Sequence, residues 1–280
     1  MILITGATGN VGREVVNLLL AEGRDVVAVS RNPATAKLPS NAQVIAADPG
    51  RPQTLATAFK GIEAVLLSPR ALAGDARELV TLAASSGVRH AVVLPALTVQ
   101  YGGGLRRFAD EFRAIEDAVK DSNLEWTLLR SADYASNATA WIPQIQTGDV
   151  VRGAYGSART STVHEWDVAA VAARCLVDPA HVGQTYVLTG PQSLTQRDKV
   201  SAIGAAVGRD LTWQEVPAAL MREAMLARGL PADIPDRMLG YLADCVERPG
   251  PSSCAVSEIL RRPALTFSEW AIEHNAEFRN

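Results

Sequence analysis

The chain has 280 residues, 48% of them hydrophobic, and a formal net charge of −3 at pH 7. That length suits one large domain, or one domain with a substantial appendage, and the apolar fraction allows a full core. The acidic balance without a basic block excludes non-specific nucleic-acid binding, no apolar run approaches a membrane span, and the cysteines and histidines lack metal-ligand spacing. Met1 leads straight into an apolar run with no basic n-region, so no signal peptide is expected. Cys175, Cys245 and Cys254 read as reduced thiols of a cytoplasmic protein.

Ile2-Leu3-Ile4 predicts a strand, and Thr5-Gly6-Ala7-Thr8-Gly9-Asn10-Val11-Gly12 follows at once. Arg13 to Glu22 places Val15, Val16, Leu18 and Leu19 at helical spacing, and Asp25 to Ser30 is a second apolar run. Strand, glycine turn, helix and strand make one βαβ unit. A Cβ at Gly6 or Gly9 would block a phosphate approaching the backbone, and Gly12 lets the helix pack close to the strand. Free amides at the helix start and the positive end of its dipole suit a pyrophosphate, with Thr8 and Asn10 adding side-chain donors and Val11 lying in the same turn. The spacing is G-x-x-G-x-x-G rather than the usual G-x-G-x-x-G, so the flanking strand and helix carry the reading.

Enzymes that use NAD place a carboxylate at the end of the second strand, where it bonds the ribose 2′-hydroxyl. Here Ser30-Arg31-Asn32-Pro33 occupies that place. A guanidinium pairs with a 2′-phosphate, so NADPH is the expected cofactor. The alternative is a surface arginine beside a helix start at Asn32-Pro33. Gln43 to Ala47 predicts a third strand ending at Asp48, which either bonds the adenine amino group or caps the turn at Pro49-Gly50.

Pro52 to Phe59 predicts a short helix. Ala64 to Leu67 is a fourth strand with Ser68-Pro69 at its end, and Asp75 to Ser86 is a helix stopped by Gly87. His90 to Leu94 is a fifth strand ending in Pro95-Ala96-Leu97. Residues 98 to 104 form a glycine-ended loop that either closes over a ligand or is a tolerated insertion. Leu105 to Asp121 is a long helix, and Trp126 to Leu129 is a sixth strand leading to Tyr134 and Asn137. Six strands alternating with helices predict an α/β fold, a Rossmann-type doubly wound parallel sheet. Ligands of such sheets lie beyond the carboxyl ends of the strands.

The pattern changes after residue 147. Gly148 to Ser161 is rich in Gly, Ser and Thr; Glu165 to Leu176 is helical; Gln184 to Thr189 and Thr212 to Val216 are strands; and the remainder is helical with proline breaks. The expected organisation is a nucleotide-binding domain over 1–147. A smaller C-terminal α/β lobe over 148–280 is interleaved with it and covers the substrate cleft.

The glycine turn resembles the opening of the NmrA-like group of atypical short-chain dehydrogenases. Ser30-Arg31-Asn32-Pro33, Asp110-Glu111, Thr127-Leu128-Leu129-Arg130 with Tyr134, and Gly183-Gln184-Thr185-Tyr186 through Asp198 are also similar to that group. The resemblance covers nearly the whole chain. It implies NAD(P)H binding through Gly6, Thr8, Gly9, Asn10, Val11 and Arg31, and places the chain nearest in layout to NAD(P)H:quinone reductases. The group also holds dye reductases and regulators that bind nucleotide without turnover. Members near the quinone reductases often carry a histidine where Phe112 stands, and others a lysine on the same helix, which here has only Lys120 near its far end.

No tyrosine of the chain has a lysine four residues on, so the Tyr-x-x-x-Lys dyad of ordinary alcohol–ketone interconversion is absent. That leaves a nucleotide sensor without turnover, an isomerase with tightly held cofactor, or an acceptor that needs little acid assistance. A quinone or similar conjugated aromatic compound is such an acceptor, since the developing charge spreads over its ring. The favoured expectation is an NADPH-dependent reductase of this kind, with Tyr134 and then Asn137 as donors to the reduced oxygen. Tyr134 is equally readable as packing. Trp141 and Trp166 either line an aromatic-accepting cleft or pack in the core. Trp126 is expected in the sheet core, His164 as a local hydrogen-bonder and Asp167 in the first turn of its helix. A small aromatic or quinone substrate is the expected partner, with no membrane and no nucleic acid, and a homo-oligomer stays open.

Overall fold

The computed structural model describes residues 1–72, 76–101 and 106–279. Its centre is a seven-stranded sheet in the order β3-β2-β1-β4-β5-β6-β9, every neighbouring pair parallel. The strands in chain order are β1 (Ile2–Ile4), β2 (Val26–Ser30), β3 (Gln43–Ala46), β4 (Ala64–Leu67), β5 (His90–Val93), β6 (Glu125–Ser131), β7 (Val150–Gly153), β8 (Arg159–Thr160), β9 (Thr185–Leu188), β10 (Leu194–Thr195) and β11 (Thr212–Glu215). The helices are α1 (Asn10–Ala21), α2 (Ala76–Ser85), α3 (Thr98–Tyr101), α4 (Arg106–Lys120), α5 (Ile142–Thr147), α6 (Glu165–Val177), α7 (Gln196–Val207), α8 (Ala218–Ala227), α9 (Asp233–Glu247), α10 (Ala255–Leu260), α11 (Phe267–Glu273) and α12 (Asn275–Phe278).

The apolar runs β1, β2, β4 and β5 are buried along their whole length, as strands covered on both faces must be. One face is covered by α1 and α6, which join Val15, Val16 and Leu19 to Val168, Val171 and Ala172. The other is covered by α2 and α4 through Leu79, Val80, Ala83, Ile115 and Val119. This is the doubly wound arrangement expected.

The sheet has one strand more than the six expected. The run around Thr185–Leu188 lies in parallel beside β6 instead of in a separate lobe. The cause is α6, which packs on α1 and brings the chain back to the sheet edge. The chain beyond residue 147 is therefore interleaved with the sheet. Its remaining elements form, with Ile145 of α5, a further core in which Val200, Ile203, Phe267, Trp270 and Phe278 meet.

Local expectations change in places. Pro52 to Phe59 is only a 3-10 turn over Pro52–Leu55 followed by turns. The Gly/Ser/Thr-rich stretch from 148 to 161 carries β7, which pairs with β11, and β8, which pairs with β10. Its glycines are there for an indole: a Cβ on Gly153 or Gly156 would stand 2.2 or 2.3 Å from Trp213. The loop expected over 98–104 is helical in its first part, α3 over Thr98–Tyr101, while the glycines at 102–104, and the closure read there, lie outside the described residues. Among the described residues no helix is long and apolar enough to cross a membrane.

Candidate functional site

A cleft of about 610 Å³ runs along the carboxyl ends of the strands. Its near wall is the β1–α1 turn. Gly6 has φ +66°, a left-handed conformation that favours glycine, and a Cβ there would stand 2.9 Å from Ser68 Cβ. A Cβ on Gly12 would stand 2.2 Å from the Gly6 carbonyl oxygen, so α1 approaches the turn only because that Cβ is missing. A Cβ on Gly9 would meet only that same oxygen, at 3.3 Å, and otherwise project into open space. Gly9 thus faces open space, whereas Gly12 serves the packing.

The start of α1 is open. Its N-cap is Gly9, with no side-chain cap and no acidic residue in the first turn. The first-turn amides of Asn10, Val11 and Gly12 have no carbonyl one turn back within the helix, and the dipole adds positive potential. Thr5 fixes the adjoining strand ends: its hydroxyl donates to the Leu66 carbonyl at 2.8 Å and accepts from the Ser68 amide at 2.9 Å. These features fit a dinucleotide pyrophosphate.

Ten of the expected nucleotide contacts line this cleft: Gly6, Thr8, Gly9, Asn10, Val11, Arg31, Ser68, Pro69, Pro95 and Ala96. Arg31 is exposed at the end of β2, where the Ser30 hydroxyl accepts the Asn32 amide at 3.1 Å and turns the chain away. Asn32 and Pro33 do take the N-cap and N1 places of a 3-10 turn, but the Asn32 side chain makes no cap bond. Asp48 is not among the lining residues. Its carboxylate accepts the Gly50 amide at 3.1 Å, which caps the turn that follows.

The far wall comes from four distant pieces of sequence. Tyr134 and Asn137 line it, Asn137 from the 3-10 helix Ala135–Trp141. Leu97, Thr98 and Phe112, and Arg237, Met238 and Tyr241 of α9, line the cleft as well. Phe112 is therefore in the wall. Lys120 is elsewhere, 3.7 Å from Glu116 and 5.4 Å above the Trp126 ring. Trp126 itself is only half-buried.

Asp133, which sequence reasoning passed over, anchors this wall. Its Oδ2 accepts from Lys199 Nζ at 3.2 Å, Thr162 Oγ1 at 2.9 Å and Thr160 Oγ1 at 3.3 Å. Lys199 is buried in α7, so the ion pair ties the C-terminal elements to the end of β6. Burial first, and then the Asp133 carboxylate beside it, push the Tyr241 phenol well above its ordinary value, so it stays protonated. Nothing in the sequence marks α9 as a wall; only the i, i+4 spacing of Arg237 and Tyr241 puts them on one face.

The tryptophans are packing. Trp141 meets Trp213 edge-on at 6.0 Å, and the Arg262 guanidinium lies 4.7 Å over Trp166; neither indole lines the cleft. His164 is a local hydrogen-bonder: Nδ1 accepts the Trp166 amide at 3.1 Å and Nε2 meets Glu273 at 3.2 Å. Asp167 sits in the first turn of α6, fully buried, and accepts from Arg262 and from the Leu265 amide at 2.7 Å.

Residues 6–179 match the family model described as NAD(P)H-binding. The chain is 32% identical over 282 residues to a (4-alkanoyl-5-oxo-2,5-dihydrofuran-3-yl)methyl phosphate reductase of Streptomyces griseus, covering 99% of both chains. It is 29% identical to an NAD(P)H azoreductase of Xenophilus azovorans, again over 99% of both. The crystal structure of an NADPH-dependent quinone oxidoreductase from Escherichia coli, complexed with NADPH, superposes with a TM-score of 0.85 at 28% identity, over 98% of this chain and 99% of that one.

Proposed function

The chain belongs to the NAD(P)H-binding family and is an NAD(P)H-dependent oxidoreductase; on that premise we propose that it reduces a quinone or a similar conjugated, electron-poor acceptor with NADPH. The observation that carries the reading is the cleft itself. It joins an open helix start and an exposed arginine on one side to an apolar and aromatic wall on the other, in a chain without a Tyr-x-x-x-Lys dyad.

In this reading Gly6, Gly9 and the first-turn amides of α1 hold the pyrophosphate, and Arg31 pairs with the 2′-phosphate. Ser68, Pro69, Pro95 and Ala96 line the path of the nucleotide across β4 and β5. The bound nicotinamide supplies a hydride. Phe112, Leu97, Tyr134 and Met238 hold a flat acceptor against it and exclude water. As the acceptor carbonyl takes on negative charge, the Tyr134 hydroxyl and the Asn137 amide donate hydrogen bonds to that oxygen, and one proton from water completes the reduction. Relatives named for reduction of an unsaturated lactone, an azo compound and a quinone share the demand for an acceptor that takes hydride readily.

The test is NADPH oxidation followed by absorbance with benzo-, naphtho- and anthraquinones. The expected result is saturable turnover well above the uncatalysed rate, lowered in Tyr134→Phe more through kcat than through KM. A protein that binds NADPH and turns over none of these acceptors would refute the reading.

A further inference from the structure

We propose that the hydroxyls of Ser131 and Thr98 form a polar pair on the acceptor wall. The pair receives a second oxygen of the acceptor, separate from the one to which Tyr134 and Asn137 donate. This rests on the reductase reading and narrows its substrate class to conjugated rings that carry two oxygens, as a quinone does.

Buried polar groups are almost always hydrogen-bonded, and a buried hydroxyl without a bond weakens the fold unless a ligand completes it. Among the described residues, Ser131 Oγ and Thr98 Oγ1 are buried without a hydrogen-bond partner, and both residues line the cleft. Ser131 is only 4% exposed. Other buried atoms share the condition but are placed differently. Asp133 Oδ1 belongs to a carboxylate with the Tyr241 phenol beside it, while Glu165 and Ser193 are not among the lining residues.

The two hydroxyls are neighbours because two strands end together. Ala96 and Ser131 form a parallel bridge where β5 and β6 finish. The Ser131 amide donates to the Pro95 carbonyl at 3.1 Å, and the Ser131 carbonyl accepts the Leu97 amide at 2.9 Å. The backbone of Ser131 is thereby committed to the sheet, and its hydroxyl is left over. Thr98 stands two residues beyond Ala96, at the start of α3. Bridged strands lie about 4.8 Å apart, so one small ring can meet both side chains. Each oxygen is one rotatable bond from the backbone, and a turn about Cα–Cβ carries it toward a ligand in the cleft.

A hydroxyl carries no charge and rotates its single hydrogen to suit its partner. It fits a neutral oxygen that gains negative charge only during reaction. A quinone has such an oxygen at each end. Its conversion to a hydroquinone takes up one hydride from NADPH and one proton from water, and leaves NADP⁺. The charge that develops in between spreads to both oxygens. Tyr134 and Asn137 serve one; Ser131 and Thr98 donate hydrogen bonds to the other and keep their own protons.

The experiment measures binding and turnover separately. Protein loaded with NADP⁺ is titrated with 2,3-dimethyl-1,4-naphthoquinone and with 1-acetonaphthone, which present two oxygens and one. Neither is reduced in the absence of NADPH. Ser131→Ala and Thr98→Val should each weaken the quinone by about two- to tenfold, the range of one hydrogen bond, and leave 1-acetonaphthone and NADP⁺ affinity unchanged. Thr98→Ser, which keeps a hydroxyl, should retain most of the quinone affinity. The melting temperature of the unliganded protein should not fall in the alanine and valine variants, because the hydroxyls they lack have no partner there. The pair is overturned if both variants bind the quinone as the wild type does, if both probes weaken alike, or if the unliganded variants lose stability. It is also overturned if NADP⁺ affinity falls instead, which would assign the hydroxyls to the nicotinamide carboxamide. Quinone-dependent NADPH oxidation by the wild type reports on the reductase reading independently. Quinone binding that the variants weaken, without any turnover, keeps the pair and fails that reading; turnover with binding unaffected in the variants does the reverse.

Discussion

The two walls of the cleft are built in opposite ways. The nucleotide wall is drawn largely from residues 5–12, a turn and a helix start contiguous in the chain, with Arg31 at the end of the next strand. The acceptor wall collects Leu97 and Thr98, Phe112, 131–137 and 237–241, brought together by β6, α9 and a buried ion pair. The first wall is local backbone geometry; the second is tertiary packing. Substitutions at Gly9 and Arg31, whose surroundings are open, should therefore change affinity with little loss of stability, and substitutions that support the second wall should do the reverse.

The largest effect is expected at Lys199. Lys199→Ala removes the cation that balances Asp133 and leaves a poorly solvated carboxylate behind, at a cost of about 3–5 kcal/mol. Thermal unfolding should shift down sharply, while the protein that remains folded keeps its NADPH affinity. An unchanged melting temperature would mean that something other than this ion pair holds the far wall.

Gly9→Val is the complementary test. Its Cβ meets only one carbonyl oxygen, at 3.3 Å, and φ is −80°, which any residue adopts. The melting temperature should stay near that of the wild type, while NADPH affinity falls by more than about a hundredfold, roughly 2.8 kcal/mol. A variant whose melting temperature falls sharply while its folded fraction binds NADPH normally would erase the distinction between the walls. Arg31→Asp should do less, weakening NADPH by about tenfold to a hundredfold, since hydrogen bonds to charged groups contribute roughly 1.5–3 kcal/mol. NADH should be nearly unaffected. Equal weakening of the two nucleotides would remove Arg31 from the 2′-phosphate.

The same contrast explains what was legible in the sequence. Gly6, Gly9 and Gly12 flanked by an apolar strand and an amphipathic helix are a local pattern, and the structure places them on one cradle. Arg31 was legible because it ends a strand. Asp48 was ambiguous because an acid before Pro49-Gly50 serves a turn as readily as a base, and here the turn takes it. Asp133, Arg237, Met238 and Tyr241 were not legible, because the partner that makes Asp133 informative, Lys199, lies 66 residues away. The seventh strand was recognised as a strand but not placed in the sheet, since its position depends on α6 packing across α1. Trp141 and Trp166 were open between cleft and packing for a related reason: aromatic residues mark burial, and which surface they bury is decided by long-range contacts.

The smallest expected effect belongs to neither wall and serves as their control. His90 lies at the amino end of β5, on the edge of the sheet away from the cleft. The Thr127 hydroxyl donates its one hydrogen to the His181 carbonyl at 2.8 Å, so at 3.0 Å it must accept from His90 Nε2, which fixes the ring as donor on that nitrogen. Burial lowers the His90 pKa below 6.5; Glu125 raises it in part and His181 lowers it further. The unfolded chain, with its ordinary value near 6.5, therefore binds more protons than the folded one in the window below that value. Stability is complete above about pH 6.5 and declines as pH falls through it, because the buried ring must be charged. Melting temperatures measured between pH 8 and pH 5 should fall more steeply on the acid side in the wild type than in His90→Gln, whereas NADPH affinity should follow the same pH profile in both. Parallel melting curves would remove His90 as the source of the acid sensitivity. A change in the NADPH profile would show that the two edges of the sheet are coupled, and the separation of affinity from stability would then fail at its simplest point.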